Sequence, residues 1–310
     1  MMTISLKQMR YAVAVAKAGH FGRAAEASAV SQPALSQQIL ALEQICGAAL
    51  FDRHKNGVRT TPFGGEFLAL AQEAIKSAEA VDAFAQAQQG LPRRAVRFGL
   101  IPTVAPYLLP EIFPALTRGL PELRFTVSES RTEALLAGLE DGSLDIALIA
   151  TEPTSQGPRL CVAPLFDDPF VLAMPRSEAT SGPVSLGELA PDRILLLDEG
   201  HCFRDQTIAA CRLDGERSAR TFAATSLSTI VEFVANGQGV TLLPRIALRK
   251  EASDPRIAVH MLDENAPGRR LRLVWREATP FASTFNQIAD VIRGTRPAAL
   301  TEAVIAEHRQ

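Results

Sequence analysis

Apolar and polar residues near the N-terminus alternate at helical spacing and predict three short helices. The first covers Leu6 to Ala18, the second covers Gly22 to Ala27, and the third starts where Ser31 supplies a capping hydroxyl. Two short helices joined by a tight turn form a helix-turn-helix when the second presents a polar outer face. That face consists of Gln32, Pro33, Ser36 and Gln37. It suits the major groove of DNA, where glutamine pairs with adenine and serine with several base edges.

A predicted hairpin follows the third helix and carries basic side chains. The segments Ala49 to Arg53 and Val58 to Thr61 are typical of strands, and Asn56-Gly57 between them favours a hairpin turn. The basic side chains of this wing, which would face phosphates, are Arg53, His54, Lys55 and Arg59. The alternative is a helical bundle with a solvated polar face. The helix starts, the turn and the basic wing together favour a winged helix-turn-helix.

The next stretch predicts one long helix from Thr61-Pro62 to about Gln89. Its inner positions alternate steps of four and three residues, which is typical of a coiled-coil seam. These positions are Phe63, Phe67, Leu70, Ala74, Ser77, Val81 and Phe84. Because no other early segment could cover the seam, we expect two chains to pair along it. Residues 90–94 are then expected to form a hinge.

From Val96 onward, short apolar strands alternate with helices. The first predicted strands are 96–101, 123–128 and 145–150, with helices near 105–120 and 132–139. The second group of predicted strands is 170–174, 194–197, 240–243 and 257–261. The chain returns through a strand at 271–275 and a helix at 282–293. This rhythm predicts parallel-type sheets with helices on both faces, in two α/β lobes with a cleft between them.

These elements divide the chain into three predicted regions. They are a winged helix-turn-helix DNA-binding domain (1–61), a linker helix for dimerisation (62–90) and a two-lobed α/β regulatory domain (91–310). The predicted lobes of the regulatory domain are about 91–164 with 269–296, and about 165–268. The tail after Gly294 receives no assignment.

Composition and charge indicate where the protein works and what the N-terminal domain binds. No stretch approaches about 18 uninterrupted apolar residues and the N-terminus lacks a signal pattern, so we expect a cytoplasmic protein without a membrane span. Four cysteines are too few for a disulfide scaffold, so any disulfide would be transient and functional. The net charge is −2, yet residues 1–60 carry seven basic and three acidic side chains. A basic module on an acidic body indicates an anionic partner.

Two cysteines give the second half of the chain its candidate chemistry. If a helix opens at Gly200 or His201, Cys202 lies in its first turn, where free amide groups and the helix dipole favour a thiolate. Cys211 follows nine positions later, at ~900° and ~13.5 Å along one helix. A disulfide allows a Cα separation of only about 7 Å, so bonding the pair requires the helix to unwind. On spacing alone, a buried small hydrophobe beside a chance neighbour remains the favoured interpretation.

The N-terminal motifs carry a family resemblance. The run FGRAAEASAVSQPALSQQILALE, followed by LFDRHKNGVRTTPFG, resembles the DNA-binding end of LysR-type transcriptional regulators. Many members place an arginine where this chain has Gln37, so base readout there would differ. The resemblance implies an effector domain similar to periplasmic binding proteins. It also implies a homodimer or homotetramer on promoter DNA, with RNA polymerase as a partner.

The segment DEGHCFRDQTIAAC is similar to the redox segment of the peroxide-sensing OxyR subfamily, in residues and in the interval between its cysteines. The similarity extends to LIPTVAPYLLPEIFP, ESRTEALLAGLEDGSLDIALIA and GQGVTLLP. It implies that Cys202 is the peroxidatic cysteine and that Cys211 resolves it as a disulfide. The positions that match residues holding or polarising the peroxide are Thr103, Thr132, His201 and Arg276. Cys46 and Cys161 have no role in the pattern.

The resemblance implies a hydrogen peroxide sensor whose oxidation changes its DNA binding and the transcription of antioxidant genes. It further implies a regulator rather than an enzyme, without cofactor or metal, reduced by a thiol reductant such as glutaredoxin or thioredoxin. Covalent sensing also suits the energetics. Moving a switch from 1:99 to 99:1 needs ~5.5 kcal/mol of differential affinity. Two heavy atoms at a ceiling of ~1.5 kcal/mol each could supply only about 3 kcal/mol.

Three alternatives remain open at the level of sequence. One is a LysR-type regulator that binds a small metabolite in the cleft between the lobes, with incidental cysteines. Another is a dedicated peroxidase, against which the helix-turn-helix argues. The third is zinc binding through His201, Cys202 and Cys211, whose spacing fits no familiar ligand pattern.

Overall fold

The computed structural model describes residues 3–54, 57–88, 95–153, 159–179, 184–213, 224–262 and 267–295, together with Pro297 and Leu300. The chain divides into two compact units, Met1–Pro92 and Arg93–Gln310. The family architecture expected from the sequence, a winged helix-turn-helix with a long helix and then a two-lobed α/β domain, is confirmed.

The first unit begins with three helices, α1 (Leu6–Ala18), α2 (Phe21–Ala27) and α3 (Gln32–Cys46). Ser5 caps α1 through the amide of Gln8, and Ser31 caps α3 through the amide of Ala34. Gly19 ends α1 at φ +61°, a left-handed conformation that glycine adopts without a Cβ penalty. The inner stripe of α3 is fully buried, and it consists of Leu35, Ile39 and Leu42 as predicted.

The wing consists of β1 (Phe51–His54) paired antiparallel with β2 (Gly57–Thr60). His54 lies opposite Gly57, so the predicted hairpin is confirmed in its strands. Lys55 and Asn56 lie outside the described residues. The amide of Val58 donates to the carbonyl of Gly19 at 3.0 Å, which fixes the wing against the end of α1.

The long helix α4 (Pro62–Gln88) starts at the predicted proline. Leu68 and Ala71 are its buried apolar side chains among the described residues, while Phe63, Leu70 and Val81 from the predicted seam are exposed. Phe84 lies among the residues whose side chains are not described. An exposed apolar row on a helix is consistent with a surface that another chain covers, because isolated helices gain little stability without such packing.

In the second unit, the first lobe is built on β3 (Ala95–Leu100), β4 (Arg124–Glu129) and β5 (Ile146–Ile149). The helices α5 (Ala105–Gly119) and α6 (Thr132–Asp141) connect these strands. Strand β3 pairs parallel with both neighbours. The predicted parallel arrangement is confirmed for these three strands, whereas the strand Gly268–Arg276, which was assigned to the same lobe, pairs antiparallel with β5.

The second lobe corrects the prediction of parallel sheets throughout. Its central strand is β6 (Leu160–Pro175), which pairs antiparallel with β7 (Thr241–Pro244), β8 (Ile257–Met261) and β9 (Gly268–Arg276). The full sheet order is β4-β3-β5-β9-β6-β7, with β8 on β6. The prediction placed only residues 170–174 of β6, because the preceding half contains two prolines and two adjacent aspartates that mask its strand pattern.

Helices α7 (Cys202–Ala210), α8 (Leu227–Ala235), α9 (Leu248–Glu251) and α10 (Ala282–Thr295) complete the unit. The segment Ile194–Leu197, predicted as a strand, forms only two isolated parallel bridges, Ile194 with Val240 and Leu197 with Ala224. It is nevertheless buried, and it leads directly into the turn before α7. Among the described residues, no helix is long and apolar enough to cross a membrane.

Candidate functional site

Helix α7 places the two predicted redox cysteines at its opposite ends. Cys202 is the first residue of the helix and His201 is its N-cap, so the cysteine lies in the first turn as predicted. Cys211 is the C-cap, and both cysteines are free. The rise between them is ~13.5 Å on this helix, so no disulfide can close while it is intact. Cys202 is partly exposed, whereas Cys211 is buried, and burial raises the pKa of the Cys211 thiol to about 11.

A cavity of about 10 Å³ opens beside Cys202 and has room for roughly one water-sized molecule. Three elements meet there: the end of β3, the first turn of α6 and the first turn of α7. Its lining comprises Ile101, Pro102, Thr103, Arg131, Thr132, Gly200, His201, Cys202 and Phe203. Four of the predicted site residues, both threonines with His201 and Cys202, are therefore together at one cavity.

Arg269, on β9, joins this cavity to the strands that connect the lobes. Its Nη1 donates to Thr103 Oγ1 at 2.7 Å and its Nη2 donates to the Thr103 carbonyl at 2.8 Å. Its Nε donates to Asp168 Oδ2 at 2.9 Å, and both charged side chains are fully buried. The guanidinium lies 5.4 Å from the ring centroid of Phe203 on α7. One buried arginine therefore contacts the threonine, the connecting strand and the cysteine helix.

The structure does not bring the predicted Arg276 to the cavity. Arg276 ends β9 opposite Leu160, seven residues from Arg269 and thus roughly 23 Å away along a strand. Arg269 is the arginine that sequence reasoning missed. A signal was present in the alternation of β9, where Arg269 shares one face with the buried residues Leu271, Leu273 and Trp275, while Arg276 falls on the other.

The two threonines present complementary hydroxyl groups. Thr103 Oγ1 accepts from Arg269, which leaves its own proton available to donate into the cavity. Thr132 Oγ1 is buried and has no hydrogen-bond partner within the described part of the chain. A buried hydroxyl without a partner is costly, and a small polar ligand in the cavity would satisfy it.

His201 is buried at the N-cap of α7. Burial lowers its pKa, as does the charge of Arg131, while Asp198 opposes the shift. The neutral imidazole is therefore favoured near neutral pH. Arg204, two residues after Cys202, directs Nη1 to the carbonyl of Leu197 at 3.0 Å and is absent from the lining of the cavity.

The predicted DNA-reading face lies on the outside of α3. Gln32, Pro33 and Gln37 are exposed and Ser36 is half-buried. On the wing, the exposed Arg53 has its guanidinium 4.7 Å from the ring centroid of Phe21. These residues share one unit and leave polar and basic groups open to solvent, as contact with base edges and phosphates requires.

Within the described ranges, no group of three His, Cys, Asp or Glu side chains is placed to hold a metal ion. The zinc alternative therefore has no ligand set there, and the helix holds Cys202 and Cys211 apart.

Comparison with known proteins matches both units to one family. Residues 6–65 match the bacterial regulatory helix-turn-helix protein model of the lysR family, and residues 89–296 match the LysR substrate binding domain. A probable hydrogen peroxide-inducible genes activator of Mycobacterium leprae is 41% identical over 288 residues, covering 92% of each chain.

Solved structures match this chain to the same family. A full-length OxyR variant from Pseudomonas aeruginosa matches with a TM-score of 0.75 and 35% identity, covering 94% of this chain and 98% of that one. A hydrogen peroxide-bound OxyR mutant from Corynebacterium glutamicum matches with a TM-score of 0.65 and 31% identity, covering 99% and 97%. The chain belongs to the LysR family of bacterial helix-turn-helix regulators and, within it, to the OxyR group.

Proposed function

We propose that this protein is a hydrogen peroxide-sensing transcriptional regulator in which Cys202 is the reactive thiol and Cys211 its resolving partner. The observation that carries the proposal is the placement of Cys202 in the first turn of α7, beside a cavity for one small molecule that Thr103 and Thr132 share. Relatives and solved neighbours named for hydrogen peroxide support the choice of oxidant. The cavity is far smaller than the ~300–1,000 Å³ that ligand sites usually occupy, which disfavours a metabolite there.

The first chemical step is oxidation of Cys202. Its thiolate sulfur attacks one peroxide oxygen, the S–O bond forms, the O–O bond breaks, and the departing hydroxide takes a proton to become water. The sulfur is oxidised to a sulfenic acid and the peroxide is reduced. The Thr103 hydroxyl is placed to donate to the departing oxygen, because Arg269 occupies one of its lone pairs and leaves its proton available. Thr132 is free to accept from the peroxide.

The second step requires a change of shape. The Cys211 sulfur, as its thiolate, attacks the sulfenic sulfur, the S–S bond forms, and the hydroxide that leaves becomes water. Cys211 is buried with a raised pKa, so it is a poor nucleophile until α7 opens. Unwinding 203–210 would withdraw Phe203 from Arg269 and from its T-shaped contact with Phe170, in which the ring centroids are 5.2 Å apart. The reaction is thereby coupled to the packing of the second lobe.

Oxidation is proposed to change DNA binding through paired chains. The exposed apolar row of α4 would form the dimer seam, a pair of dimers would bind promoter sites through α3 and the wing, and RNA polymerase would be the downstream partner. A thiol reductant of the glutaredoxin or thioredoxin type would reset the disulfide. The protein would act as a regulator without turning over peroxide as an enzyme does.

One experiment tests the proposal as a whole. Reduced and peroxide-treated protein should give different DNase I footprints on a bound promoter fragment, and mass spectrometry should find an intramolecular Cys202–Cys211 bond only after treatment. Identical footprints and no such bond would contradict peroxide sensing and favour the metabolite-responsive alternative.

We expect α7 to be less stable than α8, although both contain nine residues. The N-cap of α7 makes no side-chain hydrogen bond, whereas Ser226 caps α8 through the amide of Thr229, a contact worth ~1 kcal/mol. Two residues of α7 are buried, compared with four residues of α8. In addition, Gln206 donates to the Ala150 carbonyl at 2.7 Å but has a buried Oε1 without a partner in the described structure.

Hydrogen exchange measures this difference. Amides of 203–212 should exchange earlier than those of α8 in the reduced protein, because local opening is easier where fewer contacts hold a helix. Oxidation should change the exchange of 203–212 most and leave α8 nearly unaffected. Strong protection of 203–212 in both redox states would exclude unwinding as the coupling step.

Replacing Arg53 by alanine should weaken DNA binding to all sequences alike, because the exposed wing arginine is proposed to contact a phosphate. The slope of log K against log salt concentration should flatten by about one unit. Arg118→Ala is the matched control, since it removes an exposed arginine of the second unit. A loss confined to particular base pairs, measured by fluorescence anisotropy on mutated sites, would mean that Arg53 reads sequence instead.

A further inference from the structure

An ion pair beside the Cys202 cavity has no part in the chemistry described above. Arg131, the N-cap residue of α6, has its Nη2 3.1 Å from Asp198 Oδ2. Arg131 belongs to the first lobe, whereas Asp198 follows the buried segment of the second lobe that leads into α7. The pair therefore joins the start of α6 to the segment that leads into α7, and Arg131, though not Asp198, is part of the cavity lining.

The Arg131 side chain lies against the backbone just ahead of the thiol. Gly200, two residues before Cys202, has φ +83°, and a Cβ built there would approach Arg131 Nη1 to 2.8 Å and Cδ to 3.3 Å. The guanidinium thus rests in the space that a side chain at position 200 would occupy. With Arg131 in this position, the remaining space beside Cys202 is about 10 Å³, close to the minimum that one water molecule requires.

We propose that Arg131, held by Asp198, is a specificity-determining residue that admits hydrogen peroxide to Cys202 and excludes alkyl hydroperoxides. The proposal rests on the peroxide chemistry proposed above. An alkyl hydroperoxide would react by the same steps: the sulfur bonds to its terminal oxygen, the O–O bond breaks, and the alkoxide leaves as an alcohol after taking a proton. Its carbon atoms, however, would need the space that Arg131 fills.

The ion pair between Arg131 and Asp198 is too weak to exclude an oxidant by itself. The side chains of Arg131 and Asp198 are 43% and 40% exposed, and pairs so open to solvent are weak and screened by salt. Displacing Arg131 would therefore slow a reaction by about fivefold at most. The exclusion of bulky oxidants must come mainly from the volume of the side chain, with Asp198 acting to hold that volume in place.

The test compares two oxidants on the full-length protein. Second-order rate constants for oxidation of Cys202 are measured by dimedone competition with hydrogen peroxide and with tert-butyl hydroperoxide. Both oxidants meet the same thiolate, so a change in the amount of that thiolate cancels in the ratio of the two constants. In Arg131→Ala, the ratio should shift at least about tenfold towards tert-butyl hydroperoxide, the size of effect expected when a pocket loses a steric wall. Arg131→Lys, which keeps a long cationic stem, should retain most of the selectivity.

Arg193→Ala is the matched control. Arg193 pairs with Glu178 at 2.9 Å, with side chains 41% and 38% exposed, and neither residue lines the cavity. Its ratio should equal that of the wild type. An unchanged ratio in Arg131→Ala, with Cys202 still oxidised by hydrogen peroxide, would overturn the proposed specificity role of Arg131. It would leave the proposal of peroxide sensing at Cys202 unaffected. Failure of hydrogen peroxide to modify wild-type Cys202 would overturn both proposals.

Discussion

Replacing Cys202 by serine is expected to abolish the response to hydrogen peroxide entirely, while DNA binding by the reduced form persists. The variant removes the one sulfur among the described residues that line the cavity, and serine has no comparable nucleophilicity towards peroxide. Dimedone labelling and disulfide formation should both disappear, as followed by intact-protein mass spectrometry. The first unit, which carries α3 and the wing, does not contain the substitution.

Two further cysteine variants control this result. Cys161→Ser is the matched control, because Cys161 is also half-buried, but it lies on β6 opposite Trp275 and away from the cavity lining. It should respond like the wild type. Cys211→Ser should still form a sulfenic acid at Cys202 without a disulfide. If that variant also shows the complete change of footprint, the sulfenic acid alone operates the switch and the disulfide only protects it.

Replacing Arg269 by methionine is expected to destabilise the second unit by about 3–5 kcal/mol, since it leaves Asp168 buried without its charge partner. The oxidation of Cys202 should also slow, because Thr103 loses the donor that orients its hydroxyl. Chemical denaturation gives the free energy of unfolding, and dimedone competition gives the rate under conditions where the variant remains folded.

The neighbouring residue offers a control on the same strand. Arg270 Nε lies 2.6 Å from Oδ1 of Asp167, the residue opposite it on β6, but both side chains are exposed. Arg270→Met should therefore change stability by less than about 1 kcal/mol and leave the oxidation rate unaltered. The double variant Arg269→Met with Asp168→Leu should recover much of the lost stability and none of the rate. Recovery of the rate would show that Arg269 acts only through folding.

Sequence patterns located the cysteine helix because its start is a local property. A helix that opens at His201 places Cys202 in the first turn whatever surrounds it, and the structure agrees. The same patterns found the helix-turn-helix, while the family resemblance supplied both threonine positions. They failed at Arg269, whose role depends on Asp168 one hundred and one residues earlier in the chain. Resemblance selected Arg276 by its surrounding residues, whereas the alternation along β9 separates the two arginines onto opposite faces.

Local sequence patterns also could not predict the direction of neighbouring strands. A short apolar run has the same composition whether its neighbours run parallel or antiparallel. The parallel arrangement predicted for the second lobe failed because β6 runs from the first lobe into the second and β9 returns along it. Prolines at positions 164 and 169 hid the first half of β6, and only tertiary pairing shows it to be a strand.

The return of β9 has a consequence for how the protein is made. In the finished sheet β9 lies between β5 and β6, yet it is synthesised after the entire second lobe. At translation rates of about 5–20 residues per second, β5 waits on the order of ten seconds for the strand that covers its edge. All four residues of β5 are apolar and buried in the finished protein. The nascent chain therefore exposes an aggregation-prone edge on the ribosome, where a chaperone that shields it would raise the yield of folded regulator.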